Sequence, residues 1–124
     1  MRFMMLVKHA EKCDTPPKEF MDAMARIAEE AVKAGTMVVS GGLAPTGKST
    51  RVRLSRGQVA AIDGPFSEAK EVVGGFAILE FKSKEEAIEG ALQFMELHRK
   101  FWPGWEGETE VRQVLGPEAF APEA

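Results

Sequence analysis

Only two stretches of this chain repeat apolar residues at helical spacing, and short β-branched or alternating runs fill most of what remains. That pattern confines the fold to two helices set against several short strands. The first helical stretch places Phe20, Met24, Ile27, Ala31 and Ala34 in steps of four and three, which makes one buried stripe. Thr15-Pro16-Pro17 ahead of it reads as a threonine cap with proline in the first turn, and Gly35 stands where a left-handed C-terminal cap is wanted. The second stretch opens on Ser83-Lys84-Glu85-Glu86, a capping box in which Glu86 reaches back to the helix start. Ala87, Ile88, Ala91, Leu92 and Met95 form its apolar stripe.

The strands are equally legible. Phe3 to Val7 is a continuous apolar run, as a central or doubly covered strand requires. It stops at Lys8 with no small-residue cleavage site, so it is read as a strand and not as the apolar core of a signal peptide. Thr36 to Ser40 is β-branched, and Arg51 to Leu54 alternates polar with apolar. Ser55-Arg56-Gly57 turns that run back into Gln58 to Ile62 as a hairpin. A long strand follows from Val72 to Phe81, and Glu108 to Leu115 alternates like a final one. The order β-α-β, hairpin, strand, α-β predicts a ferredoxin-like α+β sandwich with an added hairpin. It forms a single domain over residues 1–116, with a loose tail at 117–124.

With 124 residues, 44% of them apolar, the chain suits one hydrophobic core. Two helices cannot cover both faces of such a sheet, so pairing of sheet faces in a homodimer is expected. The net charge of -3 is spread along the chain, without the concentrated basic face that nucleic-acid binding needs. No run approaches the roughly 20 apolar residues that cross a bilayer. A lone cysteine, Cys13, suits a reducing compartment, and the expected location is cytoplasmic.

Gly42-Leu43-Ala44-Pro45-Thr46-Gly47-Lys48-Ser49 matches the spelling of a phosphate-binding loop. Such a loop works because a helix begins at its lysine and turns N–H groups onto the phosphates. Here Thr50 to Leu54 reads as a strand, and Pro45 removes a donor, so no nucleotide site is expected.

Asp63-Gly64-Pro65-Phe66-Ser67-Glu68-Ala69-Lys70-Glu71, followed by Gly74-Gly75-Phe76, is more informative. The block resembles the D-G-P-F-x-E-x-K-E element and G-G-[YF] of the DGPF branch of the YCII-related family. Met4 to Lys8, Gly41-Gly42-Leu43 and Glu110-Val111-Arg112 are similar to that family as well. The resemblance implies a ferredoxin-like fold assembled as a dimeric α+β barrel. Most of the family has no assigned activity, while some relatives are implicated in hydrolytic or dehalogenating chemistry and related barrels include monooxygenases. On the residues themselves, Asp63 suits an Asx-turn, Phe66 a core plug, and Gly74-Gly75 a close backbone approach.

YCII-type relatives are thought to use a histidine–aspartate pair, which makes His9 and Asp63 the candidate catalytic residues. An aspartate that fixes the tautomer of a histidine would let it act as general base. Arg51 and Arg53 share a strand face that suits an anionic substrate, and Trp102, in the segment His98 to Trp105, suits a pocket wall or a packing role. His9, Cys13 and Asp14 lack the paired spacing of a zinc site, and no metal or cofactor is expected. Two function classes follow: a small-molecule-binding protein with a pocket in a homodimer, or a small-molecule enzyme built on His9 and Asp63.

Overall fold

A computed structural model describes residues 1–66 and 68–120; Ser67 and residues 121–124 lie outside the described residues. The elements follow the order β1 (Arg2–His9), α1 (Lys18–Lys33), β2 (Met37–Gly42), β3 (Thr50–Ser55), β4 (Gln58–Asp63), β5 (Val72–Glu80), α2 (Lys84–Phe101) and β6 (Glu108–Gln113). Four strands form an antiparallel sheet in the order β2-β5-β1-β6, and β3 pairs with β4 as a separate hairpin. This is the ferredoxin-like α+β arrangement with an inserted hairpin. Thr46–Lys48 makes a single 3₁₀ turn before β3, and Pro117–Phe120 makes another where a loose tail was expected.

Alternation along β1 sends Phe3 and Met5 to the helix side, where both are buried. Small residues let α2 approach them: Ala87 and Ala91 are buried, and a Cβ at Gly90 would touch Phe81 and Met5. The two helices meet through Phe20, Ala23 and Leu97, with Met24, Phe101 and Trp102 packed against that cluster. Placing its smallest residues on the sheet rotates α2 so that Ile88 and Leu92 leave the expected stripe and lie exposed, at 42% and 57%. Ile27 on α1 is likewise exposed, and Ala23 takes the buried place beside Phe20.

The cap of α1 also differs from expectation. Pro17, extended at φ -62 and ψ 153, is the cap residue, and no side chain bonds the helix start. Both prolines therefore precede the helix, and Thr15 sits too far back to cap it. Gly35 behaves as expected: its φ of +76 lets Gly35 N–H donate to Val32 and Thr36 N–H to Ala31. On α2, Ser83 accepts from Glu86 N–H at 3.1 Å, while the Glu86 carboxylate accepts from Lys82 N–H, one residue further back than expected.

The register places Met4, Leu6, Phe76, Ile78 and Val39 together on the sheet face away from the helices. These side chains stay partly exposed, Val39 the most at 44%. The hairpin adds a second apolar face, on which Val52, Leu54 and Val59 are about 70% exposed (72%, 72% and 70%).

Candidate functional site

The residues singled out in the sequence divide between two places. One is the junction where the hairpin returns to the sheet. Gly64 passes so close to the next loop that a Cβ there would overlap the Thr46 carbonyl oxygen, which makes glycine a steric requirement. Gly64 N–H donates to the Ser49 carbonyl at 2.8 Å. Thr46 donates both its N–H and its hydroxyl to the Glu11 carboxylate, tying the loop after β1 to the loop before β3. Phe66 is buried beneath this junction, as its core-plug reading anticipates, and Arg51 lies over its ring at 3.7 Å.

Asp63 does not close an Asx-turn. Its Oδ1 accepts from the Thr50 hydroxyl at 2.9 Å, because Thr50 is its direct partner across the hairpin. His9, at the end of β1, has its Nδ1 2.6 Å from the Ala10 carbonyl oxygen and its ring against Gly74, where any Cβ would collide with Nε2. Gly74-Gly75 thus serves the close approach read from the sequence, and the neighbour it admits is the His9 ring. No His9–Asp63 hydrogen bond exists among the described residues. Arg51 pairs with Glu68 at 2.8 Å through one guanidinium nitrogen and lies over the Phe66 ring. The Glu68 carboxyl is held below the usual carboxylate range by its own backbone N–H and then by Arg51. Arg53 shares the face of Arg51 and lies exposed.

The second place was only partly legible. Helix α2 continues through Phe101, so His98 lies within its last turn. Pro103 cannot continue the helix, and Trp102 before it leaves the helical region, at φ -135 and ψ 73. Gly104, at φ +85, then turns the chain so that Trp105 N–H donates to the Trp102 carbonyl and its ring folds back over the helix end. The Trp105 ring centre comes to rest 4.3 Å from that of His98. Phe20 and Phe94 pack on the same imidazole at 4.6 and 4.7 Å.

His98 is 4% exposed, and its Nδ1 lies 2.9 Å from the Phe94 carbonyl oxygen. A carbonyl only accepts, so Nδ1 carries the proton and the neutral ring leaves Nε2 as an acceptor. Burial among the rings pushes His98 below its ordinary pKa, against the opposing pull of that carbonyl. No described hydrogen bond uses Nε2, yet no described side-chain nitrogen or oxygen is both sealed from water and unpartnered. Nε2 therefore keeps some access to solvent, and His98 is among the residues that line a cleft at this end of the helix.

That cleft, of about 400 Å³, is bounded by Met95, His98, Trp102 and Trp105, with Arg99 and Glu106 also along its lining. Arg99 is held by Glu96. A second hollow of about 300 Å³ borders the same two tryptophans, with Lys12, Cys13 and Asp14 on its other wall. Trp102 thus lines both hollows. His9 also packs on Trp105, edge to face at 6.5 Å, so both histidines of the chain meet one indole.

An antiparallel sheet under two helices, with a glycine-proline junction knotting an inserted hairpin to it, defines a ferredoxin-like α+β class of domain. The sequence model of the YCII-related domain matches residues 1–94, and the chain belongs to that family. An uncharacterized protein of Rhizobium meliloti (strain 1021) is 32% identical over 71 residues, 57% of this chain and 57% of the relative. The match thus spans a little over half of that relative's length. The cleft residues from Met95 to Gly107 all follow the matched segment.

Proposed function

We propose that this chain is a small-molecule-binding member of the YCII-related family that works as a homodimer, with its ligand in the Trp102–Trp105 cleft. The observation that carries the reading is an aromatic hollow of about 400 Å³ containing a buried histidine with an unused acceptor. Aromatic side chains set beside a few polar groups, here His98, Arg99 and Glu106, are a usual makeup of small-molecule sites. The homodimer is supported by the apolar sheet face of Met4, Leu6, Val39, Phe76 and Ile78, which neither helix covers. The acid–base alternative has less behind it, since the described bonds of His9 and Asp63 go to Ala10 and Thr50 and not to each other.

The test is a fluorescence titration of the full chain against a panel of small organic compounds. Saturable quenching of tryptophan emission, lost in Trp105→Ala, is the expected result. Purely linear quenching across the panel would refute the reading.

A further inference from the structure

We infer that the His98 cleft selects a small planar aromatic molecule carrying a neutral hydrogen-bond donor, a phenolic hydroxyl or a ring N–H, which it seats on His98 Nε2. The inference rests on the small-molecule reading of the same cleft and adds the chemistry of its ligand.

The lining gives the shape. Trp102 and Trp105 pack on each other, 6.0 Å between ring centres and 35° from parallel, so they present a continuous indole surface to one side, and Met95 completes the lining with a polarizable sulfur. Flat indole faces favour an aromatic partner stacked or tilted on them. The Met95 Sδ is 3.7 Å from the Thr109 hydroxyl, which ties this wall to β6.

The floor gives the polarity. Because Nδ1 is bonded to Phe94, the neutral imidazole can meet a ligand only as an acceptor. A ligand that presents its own acceptor there would face lone pair to lone pair, and an apolar one would leave Nε2 without a partner once water is expelled. The ring lies among Phe20, Phe94 and Trp105, where an added charge would be poorly solvated, so the preferred donor is uncharged. A metal ion fits poorly, since no group of His, Cys, Asp and Glu that could hold one exists among the described residues. A histidine bonded four residues back along its own helix is also an ordinary core element. What sets His98 apart is that it lines the hollow while its second nitrogen has no described partner.

The experiment compares 2-naphthol with 2-methoxynaphthalene, which share a ring system and differ in the donor. Binding to the full-length protein is followed near neutral pH by NMR shifts of the two indole N–H groups. A neutral hydrogen bond predicts about three- to tenfold tighter binding of the naphthol. In His98→Phe, which keeps an aromatic ring but no acceptor, that preference should vanish while the methoxy compound still binds. Equal affinity of the two probes for the unaltered protein would overturn the inference and leave the small-molecule reading standing. Failure of both probes to bind would overturn the inference, and the small-molecule reading falls with it only if the wider panel also quenches linearly. A preference that survives in His98→Phe would remove His98 from the recognition. Should that variant not fold, the comparison on the unaltered chain still decides.

Discussion

A single methyl group added at Gly64 should weaken the fold far more than the same change seventeen residues earlier at Gly47. A Cβ on Gly64 would sit 1.7 Å from the Thr46 carbonyl oxygen and 2.7 Å from its carbon. Carbon and oxygen normally stay about 3.3 Å apart or more, so the two segments must part by roughly 1.5 Å. Neither is free to move. Gly64 N–H holds the Ser49 carbonyl at 2.8 Å, Ser49 N–H holds Thr46 at 3.0 Å, and Thr46 N–H holds Glu11 at 3.0 Å. Losing one such bond costs about 1 kcal/mol, and the overpacking costs about 1–3 kcal/mol more. The expected loss is therefore about 3 kcal/mol, a large share of a domain's usual 5–15 kcal/mol. At Gly47 no atom lies within 4 Å and φ is not positive, so Gly47→Ala should change stability by less than about 0.5 kcal/mol. Urea unfolding of both variants at one fixed protein concentration makes the comparison, because association also shifts the midpoint. If the two midpoints coincide, the glycine of the Asp63-Gly64-Pro65-Phe66 element is not there for packing and the account of the junction is wrong.

The folded state holds His98 below the ordinary histidine value near 6.5, so the native chain binds fewer protons than the unfolded one just under that pH. Its contribution is complete above about 6.5 and is lost as pH falls from there toward the folded value; urea midpoints from mildly basic to mildly acidic pH should fall more steeply for the native chain than for His98→Phe, and equal slopes would contradict this. Light scattering at micromolar concentration should give twice the chain mass, and Phe76→Asp on the open sheet face should halve it; a stable monomer for the unaltered chain would remove the homodimer. Calorimetric titration with magnesium and ATP should show no binding at Gly42 to Ser49, since β3 begins at Thr50 and the Lys48 N–H is held by Pro45. Tight magnesium-dependent binding abolished by Lys48→Ala would overturn that.

What the sequence disclosed was what depends on near neighbours. The two helices, the hairpin and the alternating strands follow from spacings of two, three and four residues, and each lies within a few residues of its expected bounds. Phe66 was legible as a core residue and Gly74-Gly75 as a close approach for the same reason: size and the lack of a side chain are local properties. Errors arose where a hydrogen bond had a choice of partners. Asp63 had its own turn and the opposite strand within reach, and only the hairpin register shows that Thr50 takes the bond. Glu11 had no visible partner at all, since Thr46 lies 35 residues away and is brought near by a loop of no regular pattern.

His98 is the more instructive omission, because its signal was present. Phe94, His98 and Trp102 are four apart, and the break at Pro103-Gly104 falls just after them. Once α2 is extended to Phe101, that spacing stacks His98 between two aromatic residues on one helix face. The obstacle was that a histidine next to Arg99 and Lys100 also reads as the charged end of a helix, where cations are favoured. Those two readings make opposite demands on the imidazole: a helix-end cation keeps its charge, whereas a ring closed in by Phe20, Phe94 and Trp105 sheds it. Trp105 decides between them, since it returns from beyond the helix to cover the ring. With one nitrogen fixed on Phe94, the neutral imidazole keeps a single acceptor, on a residue that lines the cleft.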